Sequence, residues 1–280
     1  MAAAGHQFTL SAFGDEIAAD LAEQLDVMRA EGVPALEFRG AWGKNILDLS
    51  DDEVRNAKGL LDERGMHVSA IGSPIGKVQI TDDFGAHLAR FRRAIVVAAM
   101  LDTPRIRIFS FFIPQGEDAA RYRPAVMDRL QMLTELATEA GVTLLHENEK
   151  EIYGDIATRC ADIHRTVPSP HLRAAFDPAN FIQCGVRPMD EAWPLLADVS
   201  THIHIKDAVL TDGRVVPAGE GDGQVRELLA ALVQRGYRGY LTLEPHLKAA
   251  GPFGGFTGPD LFHTAVAALN GLLAEIGGNA

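Results

Sequence analysis

Leu144-Leu145-His146-Glu147 is a short apolar run that ends in an acid. Ala175-Phe176-Asp177, His202-Ile203-His204 and Thr242-Leu243-Glu244 repeat the pattern, each a strand-like run closed by an oxygen or nitrogen ligand. Steps of 30, 27 and 40 residues separate Glu147, Asp177, His204 and Glu244, close to the 35 per unit that 280 residues allow eight βα units. This spacing predicts four consecutive strands of a parallel barrel, each delivering one ligand at its C-terminal end.

Outward from these four runs, strand-like and helix-like segments alternate along the whole chain. Strands are expected near 8–12, 35–39, 67–72, 105–110, 142–147, 172–176, 200–206 and 239–244. Helices are expected near 17–31, 50–64, 84–101, 118–140, 154–166, 188–197, 223–235 and 259–276. Eight of each is the count for a closed (β/α)8 barrel of the α/β class, and residues 1–280 read as one domain without a linker. Ser50-Asp-Asp-Glu53 has the form of a capping box, and Asp155, Asp190 and Asp260 fall in expected first turns. Gly32, Gly65, Gly141 and Gly236 each follow a helical run, where a left-handed cap is expected.

The formal net charge of −12 argues against nucleic acid or an anionic membrane as partner and suits a small-molecule enzyme. Cys160 and Cys184 form no Cys-x-x-Cys site, and two cysteines make no disulfide framework, so a reducing cytoplasm is the expected compartment. Met1 to His6 lacks the pattern of a signal peptide, and the apolar run Ala94 to Leu101 is too short to span a bilayer. These features also permit a homo-oligomer.

Three carboxylates and one imidazole form a mostly hard ligand set, suited to one Mn²⁺ or Mg²⁺, with Zn²⁺ or Co²⁺ as alternatives. Glu149 shares strand parity with Glu147 and rivals it; Glu147 is preferred because it lies nearer the apolar run. His202 and His204 share a strand face; His204 is assigned to the metal and His202 to its support. Arg39, Lys77, Asn180, Lys206 and His246 are expected at the substrate, His246 with a surface position as its equal alternative. Asp207 points the other way, toward a loop. Trp42, Phe112, Phe253 and Phe256, on loops after strands, offer faces to a sugar ring. Val209 to Val216 reads as a small hairpin on the Asp212-Gly213 turn. Ala218-Gly-Glu-Gly-Asp-Gly223 is glycine-rich, but position 224 is Gln and Glu220 and Asp222 would repel a pyrophosphate, so a dinucleotide site is rejected.

His146-Glu-Asn-Glu149, Phe176-Asp-Pro-Ala-Asn180, His204-Ile-Lys-Asp207, Pro217-Ala-Gly-Glu-Gly221 and Leu243-Glu-Pro-His246 together resemble the xylose-isomerase-like barrel superfamily. That group contains sugar phosphate isomerases and epimerases and the endonuclease IV type nucleases, and the resemblance runs from Ser11 to the end of the chain. In the epimerase branch it implies that Glu147, Asp177, His204 and Glu244 bind one divalent metal and that the two glutamates shuttle protons. The nuclease branch needs further histidines, where this chain has Ile71-Gly-Ser73, Ile108-Phe-Ser110 and Asn180.

The expected activity is therefore a metal-dependent isomerase or epimerase of a sugar, sugar phosphate or related polyol, working through a metal-bound enediolate. A dehydratase of a keto-polyol such as an inosose, and a non-catalytic metal-dependent sugar-binding protein, are the alternatives. A nuclease is disfavoured.

Overall fold

The computed structural model describes residues 8–248 and 256–277. Phe253 lies outside the described residues, as does the Met1 to His6 segment. Eight strands form the barrel: β1 (Thr9–Ala12), β2 (Ala35–Phe38), β3 (His67–Ile71), β4 (Arg105–Ile108), β5 (Thr143–Glu147), β6 (Leu172–Phe176), β7 (Ser200–Ile205) and β8 (Tyr240–Leu243). Each pairs in parallel with the next, and β8 closes on β1 from Thr9↔Tyr240 to Ala12↔Leu243. The fold is a (β/α)8 barrel, as expected. Strands in such a sheet are covered on both faces, which is why Leu144 and Leu145, on opposite faces of β5, are both buried. The pairing slips by one residue at two places, between Leu36 and Glu37 against β3 and between Ala174 and Ala175 against β7.

The helices are α1 (Leu21–Ala30), α2 (Asp51–Glu63), α3 (Phe84–Met100), α4 (Ala119–Ala140), α5 (Ala157–Thr166), α6 (Pro178–Gln183), α7 (Trp193–Leu196), α8 (Val225–Gln234) and α9 (Pro259–Ile276). Ser50 and Glu53 make the full capping box at α2. Gly32, Gly65, Gly141 and Gly236 all have φ between +65° and +74°, the conformation that ends a helix at low cost for glycine alone.

Four boundaries differ from expectation. Helix α1 begins at Leu21 rather than 17, because the Asp20 carboxylate accepts from the Glu23 amide and caps it there. Asp155 lies in a 3-10 turn, Tyr153–Asp155, ahead of α5 rather than in its first turn. Pro188 and Pro194 remove two amide donors, and the segment expected as one helix over 188–197 is a wide π turn, Pro188–Ala192, running into the single turn of α7. Gln224 has φ +53°, so α8 starts only at Val225. Among the described residues no helix is long and apolar enough to cross a membrane.

Alternation along the strands decides what faces the barrel interior. On β5 the odd positions point in, so Leu145 meets Ala70 and Ala175 in a small apolar cluster and Glu147 stands one layer above it. His146 points out, toward α5, where its ring meets His164 edge to face at 6.0 Å.

Candidate metal centre

Glu147, Asp177, His204 and Glu244, from β5, the ends of β6 and β8, and β7, bring their ligand atoms within 4.8 Å of one another, and all four are buried. Nδ1 of His204 lies 3.4 Å from Oε1 of Glu147, 3.4 Å from Oε2 of Glu244 and 3.8 Å from Oδ2 of Asp177. The backbone explains the placement. Asp177 ends β6 and caps α6, its Oδ1 accepting the Asn180 amide at 2.8 Å, so Oδ2 is left facing inward. Asn148 fixes the same corner by exchanging hydrogen bonds with the Asp177 backbone.

Cations ring this group. Nζ of Lys206 lies 2.8 Å from Oδ2 of Asp177 and 3.1 Å from Oε2 of Glu244. Arg107 reaches Oε2 of Glu147 at 3.2 Å, and Asn180 donates to its Oε1 at 3.0 Å. Arg39 spreads over Asp15 at 2.8 Å, Glu244 at 3.2 Å and Glu16 at 3.6 Å. Burial opposes charge on His246, but Glu16 and Glu244, at 3.1 and 3.2 Å, outweigh it and push its pKa up to about 9.

Five enclosed carboxylates, Asp15, Glu16, Glu147, Asp177 and Glu244, pair with Arg39, Arg107, Lys206 and protonated His246, and a sixth, Glu37, pairs with His202 and His204. Carboxylates thus outnumber the arginine and lysine side chains among them. Buried charge left unbalanced is strongly unfavourable. The same field acts on His204: burial disfavours its charged form, yet Glu147, Glu37 and Asp177 raise its pKa well above the ordinary value. Nδ1 of His204 also has no aligned hydrogen bond. The hard donor set and the unpartnered ring nitrogen together fit a divalent cation.

Two further groups could be mistaken for metal sites. Glu16, Glu244 and His246 converge, but the Arg39 guanidinium already stands against both glutamates. Glu37, His202 and His204 meet below the centre, with Nε2 of His202 hydrogen-bonded to Glu37 at 2.7 Å.

Two of the four ligands, Glu147 and Glu244, face a cavity of about 280 Å³ that is also walled by Arg39, Lys77, Arg107, Phe112, Glu149 and His246. Lys77 pairs with Glu149 at 3.1 Å on its wall, so Glu149 stands beside the centre rather than in it. A larger crevice of about 730 Å³, lined by Ile113, Gly116, Asp155 and Arg159, adjoins it at Phe112 and Glu151 but contains none of the four ligands. Trp42 is turned to the rim, its indole N–H bonded to Asp20 at 3.2 Å.

Residues 25–264 match the family described as xylose isomerase-like TIM barrel. The chain belongs to that family. Fructoselysine 3-epimerase from Escherichia coli O157:H7 is 31% identical over 122 residues, 42% of this chain and 43% of the relative's length. The match therefore spans less than half of that curated relative. D-psicose 3-epimerase, solved in the presence of D-fructose, superposes with a TM-score of 0.75 at 18% identity, covering 97% of this chain and 100% of the other. A probable 3-DHS dehydratase from Bacillus anthracis gives a TM-score of 0.74 at 16% identity, covering 94% and 98%. At these identities the two structures share the fold.

The family's motifs have visible physical tasks in this chain. Asp207 turns away from the centre, and its carboxylate accepts the amides of Ala208, Gly219, Gly221 and Gly223 at 2.8 to 3.1 Å. A Cβ on Gly223 would stand 2.6 Å from Oδ1 of Asp207, so the glycine-rich run exists to let a loop close on one carboxylate. The expected hairpin forms beside it, Asp207–Ala208 pairing with Val215–Val216. Sequence reading missed Arg107, Asp15, Glu16 and Glu37. Arg107 carried the signal of strand parity on β4, but the others identify themselves only through partners more than twenty residues away.

Proposed function

We propose that this chain is a metal-dependent isomerase or epimerase of a sugar or related polyol, acting as one domain with Glu147 and Glu244 as acid and base. The observation that carries the reading is that the two glutamates flank one imidazole nitrogen, each 3.4 Å from Nδ1 of His204, beneath a cavity large enough for a single sugar. Similarity to fructoselysine 3-epimerase supports sugar epimerisation.

Glu147, Asp177, His204 and Glu244 would hold one Mn²⁺ or Mg²⁺, which supplies a Lewis acid for the oxygen next to the reacting carbon. The protein's own groups do the remaining work. Glu147 and Glu244 come from strands on different sides of the barrel, so one takes a proton from the carbon beside the carbonyl and the other returns a proton. Arg107 and Arg39 hold these carboxylates in place. Lys77 and His246, on the cavity wall, would bind substrate hydroxyls, as would Lys206 from its place between Asp177 and Glu244, and the Asn180 amide steadies Glu147. Proton return to the opposite face gives an epimer; return to the neighbouring carbon gives an aldose.

The test is a panel of free ketohexoses and their phosphates incubated with chelator-stripped protein, with and without Mn²⁺, and resolved by ¹H NMR. Metal-dependent formation of an epimer or aldose is expected. A dehydrated product would make the enzyme a lyase, and tight sugar binding without turnover would make it a binding protein.

A further inference from the structure

Glu37 is a fully buried carboxylate on β2 that the proposed reaction does not use. Its surroundings are unusual for a buried acid. Among the described residues its ion-pair partners are two histidines: Oε2 lies 2.7 Å from Nε2 of His202 and 3.3 Å from Nε2 of His204, and no hydrogen bond reaches Oε1. A carboxylate enclosed without a lysine or arginine is destabilising unless a charge is delivered to it by another route.

His204 supplies that route. Its two ring nitrogens face opposite ways, Nδ1 toward Glu147, Asp177 and Glu244, and Nε2 toward Glu37. A neutral imidazole has one N–H and one lone pair, so a ring that offers Nδ1 to a cation must carry its proton on Nε2. Nε2 has no aligned hydrogen bond in the present geometry, and a buried N–H needs an acceptor. Oε2 of Glu37 is the carboxylate oxygen within reach. The edge of the ring is held from the side by Phe13, at 5.4 Å between centroids and 84° between planes.

We propose that Glu37 is a positioning residue for the centre: it accepts the Nε2–H of His204 and fixes the tautomer whose Nδ1 lone pair faces the three carboxylates. The barrel's own irregularities support this. Both register slips fall in this layer, one at Glu37 itself and one at Ala175, which pairs with His202. Such slips re-aim side chains in an otherwise regular pleat. His202 fixes Glu37 in turn, with Oγ1 of Thr242 2.9 Å from Nε2 of the same ring. A chain of polar groups thus runs from Thr242 through His202 and Glu37 to the ligand.

The inference rests on His204 being a ligand, and its test does not need turnover. Mn²⁺ alone is titrated into chelator-stripped full-length protein in competition with a fluorescent chelator. Glu37→Ala should bind Mn²⁺ about 10–100-fold more weakly, the usual effect of losing a group behind a ligand. Glu37→Gln, which keeps the shape but not the charge, should fall between that variant and the wild type. In the Mg²⁺-loaded wild type, ¹⁵N-histidine NMR should show His204 protonated at Nε2. Affinities within twofold of wild type in folded variants, or a His204 proton on Nδ1, would overturn the proposal. Should Glu37→Ala not fold, Glu37→Gln and the wild-type spectrum decide. Absence of Mn²⁺ binding by the wild type would overturn the centre itself, whereas normal binding without ketose turnover would overturn only the reaction.

Discussion

Nζ of Lys206 lies 2.8 Å from Oδ2 of Asp177, at a position where both groups are buried. The ammonium balances the carboxylates of the centre and, by the same charge, opposes an incoming cation. Lys206→Met should therefore lower the melting temperature of the metal-free protein by several degrees, because Asp177 and Glu244 lose a partner. Saturating Mn²⁺ should then raise that temperature by more in the variant than in the wild type, since a ligand bound only by the folded state stabilises in proportion to its affinity. Equal or smaller metal-induced shifts in the variant would contradict this role.

The loop that closes on Asp207 gives a second expectation. Four amides converge on one carboxylate, and hydrogen bonds to a charged acceptor contribute about 1.5–3 kcal/mol where enclosed. Asp207→Ala should lower stability by roughly 2–4 kcal/mol on this basis. Gly221→Ala should have a comparable effect, because its Cβ would collide with the same carboxylate and with the Ala208 carbonyl. Urea unfolding measures both; a loss below about 0.5 kcal/mol in either variant would mean that the loop closes by other contacts.

Three histidines that take no part in the four-residue group set an acid limit. Burial, aided by Arg129 and Arg90, pushes the pKa of His87 down to about 4; burial, aided by His164, pushes His146 to about 3; burial, aided by Arg173, pushes His164 to about 4. These pKa values are below the unfolded value of about 6.5, so between about pH 6.5 and 4 the unfolded chain binds more protons than the folded one. Stability from this source is complete above pH 6.5 and is lost as pH falls toward 4. Melting curves across this range should show a shallower decline for a His146→Gln, His164→Gln double variant than for the wild type. A parallel decline in the two proteins would refute the assignment.

Much of the barrel was legible because it is written in local chemistry. A run such as Leu144-Leu145-His146-Glu147 carries its own length, parity and end, and glycines such as Gly141 and Gly236 mark where helices stop. The convergence of Glu147, Asp177, His204 and Glu244 was legible for the same reason, since one residue at each of four strand ends is a local feature repeated. Helix α6 was not, because Asp177-Pro178 equally reads as a turn and only the Asn180 amide on the Asp177 carboxylate decides for a helix. Glu37, Asp15 and Glu16 were invisible for a different reason. An acid in or beside a strand looks solvated until barrel closure brings His202, Arg39 or His246 against it, from positions 165, 24 and 230 residues away. Arg39 and Asn180 were expected at the substrate, and their donors are engaged with the carboxylates of Asp15, Glu244 and Glu147.

The central claim is that Glu147 and Glu244 exchange a carbon-bound proton with solvent. It is tested most directly by incubating Mn²⁺-loaded protein with a turned-over ketose in D₂O and following deuterium at the carbon next to the carbonyl by NMR. Wild type should incorporate label there. Glu147→Gln and Glu244→Gln, after confirmation that each still binds Mn²⁺, should each form product at least about a hundredfold more slowly, in line with the value of a positioned acid or base. The variant that keeps the base for the first transfer should still exchange label into unreacted substrate. Product formation at wild-type rates in both variants with Mn²⁺ bound, or turnover by the wild type without deuterium at that carbon, would contradict the account.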